Sequence, residues 1–191
     1  MKYGTIGISE TFPYIGGGLL MRYSYCPKCG GSLRLNENKR LVCSVCGFVF
    51  YQNPSASVAM ILIRNGKVLL GRKRGRYSGQ WCLPCGFVEW GEDVYEAAKR
   101  EMLEETGLHI ELTTLYTVTS LYGEPYIGTE WYNPEQQSVM IWFLAKETGG
   151  ELRAGDDIDQ VGYFSCEELP RIAFPVHEIV IRKLLEEQLI N

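Results

Sequence analysis

The sequence has few of the features that mark membrane, exported or nucleic-acid-binding proteins. Its 191 residues contain no apolar run that approaches the roughly 18 residues of a membrane-spanning helix. The amino-terminal stretch has no charged region followed by an apolar segment, which argues against a secretory signal and favours a cytoplasmic location. Basic side chains are outnumbered, 19 Lys and Arg against 23 Asp and Glu, which argues against a nucleic-acid or anionic membrane surface. Histidine is scarce, and neither His109 nor His177 stands in a pattern typical of catalysis.

Cysteine occurs in an odd number, and its arrangement indicates metal binding rather than disulfides. Seven cysteines without an export signal do not form a typical disulfide framework. Four of them form two Cys-x-x-Cys pairs, Cys26 with Cys29 and Cys43 with Cys46, separated by 13 residues. Four thiolates suit a tetrahedral, structural Zn²⁺ that has no open position for chemistry. The alternative, reduced free cysteines, would leave a segment of roughly 30 residues with too small a core to fold unaided. The segment resembles a zinc ribbon.

Turn and composition signals divide the chain into three parts. Residues 1–21 are Gly-rich and weakly patterned, and we interpret them as a loose arm or an over-long start. Residues 22–51 are the cysteine segment, and a turn-like linker then precedes residues 55–191. The sequence of residues 55–191 predicts mixed β structure with two helices, which indicates an α/β or α+β domain. Its predicted strands are 55–64 and 67–72 (joined by a hairpin turn at Asn65-Gly66), 81–85, 112–121, 139–145 and 161–165, and its predicted helices are 92–106 and 176–189.

Three carboxylates crowd one position of the first predicted helix. With Glu101 at 0° on a helical wheel, Glu104 falls at roughly 300° and Glu105 at roughly 40°, on the stripe that is apolar one turn upstream. A solvated helix face would place its acids opposite that stripe. Like charges on an inward stripe are costly without a cation, and Mg²⁺ or Mn²⁺ would take these oxygen ligands. Arg100 neighbours Glu104 and could orient a carboxylate.

The same stretch matches every fixed position of a known motif. Gly86, five residues, Glu92, seven residues and then Arg100-Glu101-Met102-Leu103-Glu104-Glu105-Thr106-Gly107-Leu108 resemble the Nudix box. The resemblance implies an α/β/α sandwich with a mixed sheet over residues 55–191. It also implies hydrolysis of a nucleoside diphosphate linked to another moiety. By the same resemblance, Glu101, Glu104 and Glu105 ligate catalytic Mg²⁺ or Mn²⁺, and Arg100 holds Glu104 or Glu92. Gly86 and Gly107 shape the ends of the motif, and the family implies a homodimer.

One position just before the box departs from the family pattern. The usual lead-in is Trp-x-Leu-Pro-Gly-Gly, whereas this chain has Cys85 in place of the first of those glycines. The backbone carbonyl at this position commonly faces the metal, and a carbonyl survives the substitution. Cys82 and Cys85 could alternatively form a redox or second zinc site. We expect instead two separate thiols near the active site, because side chains on an extended segment diverge.

The order of a zinc ribbon followed by a Nudix domain resembles two groups of enzymes. One group hydrolyses NADH and carries a Ser-Gln-Pro-Trp-Pro-Phe-Pro-like signature, which this chain lacks. The other group hydrolyses ADP-ribose or FAD. We therefore favour the interpretation that this chain hydrolyses ADP-ribose or FAD and releases AMP. The alternatives are an NADH or RNA-cap pyrophosphatase, and a non-enzymatic regulator that senses a nucleotide.

Several side chains are candidates for substrate contact, each with a plainer alternative. A basic run at the end of a predicted hairpin could attract the pyrophosphate or simply be solvated. Aromatic residues of the long loop after the box could stack on a base, or pack within the loop or a dimer contact. Phe174 could do the same or belong to the core. The candidates for substrate contact are Arg72, Arg74, Tyr126, Trp131 and Phe174. The candidates for the general base are Glu101, Glu105, Asp156, Asp157 and Asp159.

Overall fold

The computed structural model describes residues 23–121 and 137–191. The chain divides into two compact units, Met1–Gln52 and Asn53–Asn191. The predicted arm, residues 1–21, and the candidates Tyr126 and Trp131 lie outside the described residues. No helix among the described residues has the length and apolar character needed to cross a membrane.

The smaller unit is a three-stranded antiparallel sheet around the cysteine pairs. Its strands β1 (Leu33–Leu35), β2 (Leu41–Cys43) and β3 (Val49–Phe50) lie in that order. A hairpin joins the first two strands. The Asn36 Oδ1 atom accepts the amides of Asn38 at 3.0 Å and Arg40 at 2.9 Å, which fixes the turn. The core is small, with Cys26, Leu33 and Cys43 buried in it.

The larger unit is built on a mixed seven-stranded sheet flanked by two helices. The main strand order is β10-β5-β4-β9-β8, with β6 paired to β5 and β7 paired to β4. β4 and β9 run parallel, and the other pairs are antiparallel. The elements are β4 (Ser55–Arg64), β5 (Lys67–Lys73), β6 (Trp81–Cys82), β7 (Cys85–Phe87), α1 (Val94–Thr106), β8 (Leu108–Ser120), β9 (Ser138–Gly150), β10 (Ile158–Phe164) and α2 (Pro175–Glu186), with short 3₁₀ turns at Gly75–Tyr77 and Cys166–Glu168.

Strand β4 lies at the centre of the sheet and has a buried surface on each side. Its residues 58–62 are buried without interruption, as expected of a strand covered on both faces. One face packs with α2 through residues such as Val180 and Leu184. The opposite face packs with α1 through Ala98 and Met102. The expected α/β/α sandwich with a mixed sheet is therefore confirmed.

Local turn and capping signals are confirmed, although several element bounds differ. Asn65 and Gly66 both adopt positive φ, 51° and 74°, as the hairpin turn requires. Helix α1 begins at Val94 rather than at residue 92, because the Asp93 side chain caps it by accepting the Tyr95 amide at 2.9 Å. It ends at Gly107, whose φ is 71°. Strand β9 extends past its predicted end because it pairs with β8 where its own residues are exposed and show no apolar pattern. The missed start of β8, residues 108–111, does alternate between buried and exposed side chains.

Candidate metal centre and substrate cavity

The four cysteines of the smaller unit converge as a zinc site requires. Their Sγ atoms all lie within 4.8 Å of one another. Cys29 Sγ lies 3.5 Å from Cys43 Sγ and 3.4 Å from Cys46 Sγ, and Cys26 Sγ lies 3.8 Å from Cys46 Sγ. Sulfurs about 2.3 Å from a tetrahedral Zn²⁺ would be separated by about 3.8 Å, so the cluster fits this ion. The amides of Cys46 and Val45 lower the pKa of the Cys43 thiol to about 6, which favours the thiolate.

The three acids of α1 are not equally buried. Glu101 and Glu105 are 9% and 1% exposed, as predicted for an inward stripe. The Glu104 side chain is 49% exposed, so the prediction that all three acids face inward is wrong for this residue. It lies at the edge of the stripe and turns back along the helix surface toward Arg100. Carboxylate oxygens are the donors that Mg²⁺ and Mn²⁺ take, and two of these carboxylates are buried.

Arg100 connects the carboxylates of the motif. Its Nε and Nη2 atoms donate to the two oxygens of Glu92 at 2.7 and 2.8 Å. Its Nη1 atom donates to Glu101 at 2.8 Å and to Glu104 at 3.0 Å, and Nη2 also donates to the Phe87 carbonyl at 3.1 Å. Arg100 thus contacts Glu92 and Glu104 together, and Glu101 as well. The guanidinium and a backbone amide lower the pKa of Glu92 to about 2, so this carboxylate is ionised.

Glu105 is held from the side opposite Arg100. Its Oε2 atom accepts the Cys85 amide at 2.8 Å, and its Oε1 atom lies 3.7 Å from the Lys73 ammonium. Lys73 also forms an ion pair with Asp157. Burial raises the pKa of the Glu105 carboxyl well above its ordinary value. A divalent cation at this carboxylate would oppose that shift by favouring the ionised form.

Gly86 allows the close approach of Glu101 to strand β7. A Cβ atom built at Gly86 would lie 1.9 Å from the carboxyl carbon of Glu101. Any other residue would therefore occupy the space of that carboxylate. This explains in steric terms why the motif begins with a glycine here, since the φ of Gly86 is not in the left-handed region.

The larger unit contains a cavity of about 1070 Å³ that joins the acids to an apolar wall. Of the predicted substrate contacts, Arg74 and Phe174 line it. Arg72 does not, because its Nε atom donates to Asp159 at 2.6 Å. The lining includes Glu101, Glu105, Cys85, Gly86, Asp156 and Asp157 at the acidic end, basic residues Lys73, Arg74 and Arg76, and apolar residues Leu121, Met140, Phe174 and Val176.

Cys82 and Cys85 lie together, contrary to the prediction that they diverge. Cys85 packs against the buried cluster that contains Cys82, and a hydrogen bond to Cys82, together with burial, raises the pKa of the Cys85 thiol. The reason is a bend at Pro84 that divides the predicted extended segment into two strands, β6 on β5 and β7 on β4. Cys85 lines the cavity together with the candidate metal ligands Glu101 and Glu105.

Two buried residues near the acids were not predicted from the sequence. Lys73 appears in a basic run, yet it is only 8% exposed and is paired with two carboxylates. The alternation of strand β5, which turns one residue of the run inward, is the signal that could have identified it. His177 is completely buried, and its Nδ1 atom accepts the Leu83 amide at 3.1 Å. No local pattern reveals a contact between residues this far apart in the chain.

Comparisons with known proteins agree with this geometry. Residues 53–187 match the family described as the NUDIX domain, and residues 24–52 match the one described as Nudix N-terminal. An ADP-ribose pyrophosphatase of Methanocaldococcus jannaschii is 38% identical over 133 residues, 69% of this chain and 73% of that protein. An NAD-capped RNA hydrolase of Vibrio vulnificus is 30% identical over 178 residues, 92% of this chain but only 62% of its own length.

Solved structures show the same fold. The crystal structure of a NUDIX hydrolase from Nitrosomonas europaea aligns with a TM-score of 0.70 and 33% identity. The alignment covers 86% of this chain and 92% of that one. Together with the intact motif, these matches show that the chain belongs to the Nudix hydrolase family and carries the zinc-ribbon segment found in some of its members.

Proposed function

We propose that this Nudix pyrophosphatase cleaves ADP-ribose or FAD with Mg²⁺ or Mn²⁺, releasing AMP and the phosphate of the second moiety. The observation that carries the proposal is the pair of buried carboxylates, Glu101 and Glu105, at one end of a cavity of about 1070 Å³. A cavity of this size suits a ligand with two large halves. The similarity to an archaeal ADP-ribose pyrophosphatase supports the choice of substrate.

In such a site, some residues would hold the metal ions and others would orient those ligands. Glu101, Glu104, Glu105 and the Cys85 carbonyl would hold the ions, which when bound would neutralise the pyrophosphate and activate water. Arg100 orients the carboxylates on one side, through its hydrogen bonds to Glu101 and Glu104. The Cys85 amide orients Glu105 on the other side. Carboxylates that are fixed before the substrate arrives need no reorganisation during the reaction.

The cavity walls support a role in binding each half of the substrate. Arg74 lines the cavity and suits a phosphate oxygen, because a guanidinium donates in a planar fork. Phe174 also lines it, packed edge-on against Tyr77 at 4.8 Å between ring centroids. Its ring would cover one face of an adenine or flavin. Arg72, Tyr126 and Trp131 stay predictions, as do the homodimer and the cytoplasmic location.

Among the three loop acids, Asp156 is the best candidate for the general base. Asp159 is paired with Arg72, and Asp157 is paired with Lys73. Asp156 lines the cavity and forms no hydrogen bond or ion pair with the described residues. It also adopts a φ of 50°, a strained conformation that is frequent at functional sites. We expect Asp156→Asn to lower turnover at least ~100-fold, whereas Asp159→Asn, the same chemical change outside the cavity, should preserve most activity.

The proposal is tested by a substrate panel of ADP-ribose, FAD, NADH and NAD-capped RNA with each metal, products being identified by mass. ADP-ribose or FAD should give the highest kcat/KM with AMP as a product. A preference for NADH or capped RNA would show that the proposed substrate is wrong. These are the second candidates because of the similarity to an NAD-capped RNA hydrolase. Glu105→Gln should reduce turnover by orders of magnitude, while Glu111→Gln on the exposed side of β8 should not. Tight nucleotide binding without any metal-dependent turnover would indicate a regulator instead.

A further inference from the structure

A fully buried histidine belongs to the lining of the cavity and has no role in the reaction described above. His177 is in the first turn of α2 and is 0% exposed. Its Nδ1 atom accepts the Leu83 amide at 3.1 Å, so the neutral ring carries its proton on Nε2. The Nε2 atom has no hydrogen-bond partner among the described residues. The ring has no exposed surface although it belongs to the cavity lining, so it acts as part of the wall that supports the site.

Packing alone does not account for an imidazole at this position. The ring lies edge-on to Trp142, with 4.8 Å between centroids, and 5.1 Å from the Phe174 ring. A phenylalanine would make the same aromatic contacts without burying an unpartnered nitrogen, which lowers stability. What histidine adds is the Nδ1 acceptor for the Leu83 amide.

That hydrogen bond fixes the segment that leads into the metal site. Leu83 is fully buried, and the next residue, Pro84, has no amide hydrogen to donate. The Pro84 carbonyl accepts the Met60 amide at 2.9 Å, and the Cys85 amide donates to Glu105 at 2.8 Å. The segment is therefore held at three successive residues, by His177, by strand β4 and by Glu105. Loss of the first contact leaves Leu83 without a hydrogen bond of its own between Cys82, which is paired with β5, and Pro84, which is bonded to β4.

We propose that His177 is a positioning residue whose Nδ1 atom holds Leu83, and through it the Cys85 backbone, in the geometry that orients Glu105 for the metal. The inference rests on the proposed metal site but not on the identity of the substrate. It also connects the two ends of the cavity, because the same ring supports Phe174, the predicted contact for the base. Residues that orient metal ligands without contacting the metal commonly lower metal affinity or activity ~10–100-fold when they are removed.

Two substitutions separate the hydrogen bond from the packing. His177→Asn keeps an acceptor, Oδ1, at the same number of bonds from the backbone as Nδ1. His177→Phe keeps the ring and removes the acceptor. We expect His177→Phe to weaken Mn²⁺ binding ~10-fold and to lower kcat ~10–100-fold with little change in KM. We expect His177→Asn to stay within about threefold of the unmodified chain in both. Amide hydrogen exchange at Leu83 should be faster in the first variant and unchanged in the second.

Each outcome of the experiment distinguishes the explanations. Equal losses in both variants would show a packing role and overturn the proposal, as would a His177→Phe variant with unchanged Mn²⁺ affinity and kcat. If His177→Phe fails to fold, His177→Gln replaces it, because the Gln oxygen lies one bond further out and does not match Nδ1. Gln must then lose Mn²⁺ affinity where Asn retains it, and equal affinities overturn the proposal. Absence of Mn²⁺ binding by the unmodified chain would instead refute the proposed metal site.

Discussion

Replacing Gly86 with alanine should impair catalysis without unfolding the protein. The new Cβ would lie 1.9 Å from the Glu101 carboxyl carbon and 2.1 Å from Oε1. Non-bonded carbon atoms approach to about 3.5–4.0 Å, so the carboxylate must move by about 2 Å. That movement also breaks the 2.8 Å hydrogen bond from Arg100 to Glu101. The change therefore displaces one proposed metal ligand and leaves the chemical identity of every ligand unchanged.

The expected magnitudes differ greatly between activity and stability. A misplacement of about 1 Å in a reacting constellation can cost about 100-fold, so we expect kcat of Gly86→Ala to fall by at least that factor. The backbone tolerates alanine, because Gly86 lies in strand β7 and not in the left-handed region. Loss of unfolded-state freedom stabilises by about 0.4–1 kcal/mol, and displacement of a flexible side-chain end costs about 1 kcal/mol. The net change is close to zero, so Tm should shift by less than about 4 °C.

The assay pairs steady-state hydrolysis and Mn²⁺ titration with thermal unfolding. Gly149→Ala is the matched control, because Gly149 also lies in a strand and a Cβ there meets no atom within 4 Å. The control should be unchanged in all three measurements. Turnover of Gly86→Ala equal to that of the unmodified chain would refute the assignment of Glu101. A large fall in Tm would show instead that the close packing of β7 against α1 at Gly86 is required for stability.

Three further predictions follow from other contacts. Arg100→Lys should lower kcat ~10–100-fold in steady-state assays, because an ammonium cannot form the paired hydrogen bonds that the guanidinium makes to Glu92. Cys26→Ser should reduce zinc content, measured by elemental analysis, from about one ion per chain to nearly none. Lys67 lowers the pKa of Glu168 from 4.5 to about 2, so their contribution to stability is present above pH 4.5 and is lost as pH falls toward 2. Glu168→Gln should therefore reduce the slope of unfolding free energy against pH in that window, and an unchanged slope would contradict the pairing.

Features that depend on neighbours in sequence could be predicted, and those that depend on distant contacts could not. The hairpin turn at Asn65-Gly66 and the end of α1 at Gly107 follow from the conformations that these residues adopt most readily. The four-cysteine cluster follows from ligand spacing. By contrast, the bend at Pro84 that brings Cys82 to Cys85 depends on which strand each half of the segment joins. The end of β9 was missed because its strand pairing continues over exposed residues that show no apolar alternation.

The sequence predicts the crowding of acids on α1, but it does not predict how the fold offsets the repulsion between them. A helical wheel contains only one element, so it shows Arg100 of α1 itself but not a cation that another element supplies. In the structure each buried acid has its own counter-charge: Arg100 for Glu101, and Lys73, from strand β5, for Glu105. Glu104 shares Arg100 from the surface and stays half exposed. Among the described residues, the four cysteines are the only group of three or more such side chains whose ligand atoms all lie within 4.8 Å of one another, so the three carboxylates of α1 do not all converge to that distance. Divalent ions would therefore bind where Arg100 and Lys73 already reduce the repulsion between the carboxylates. This explains how α1 folds with these acids in place before a metal binds.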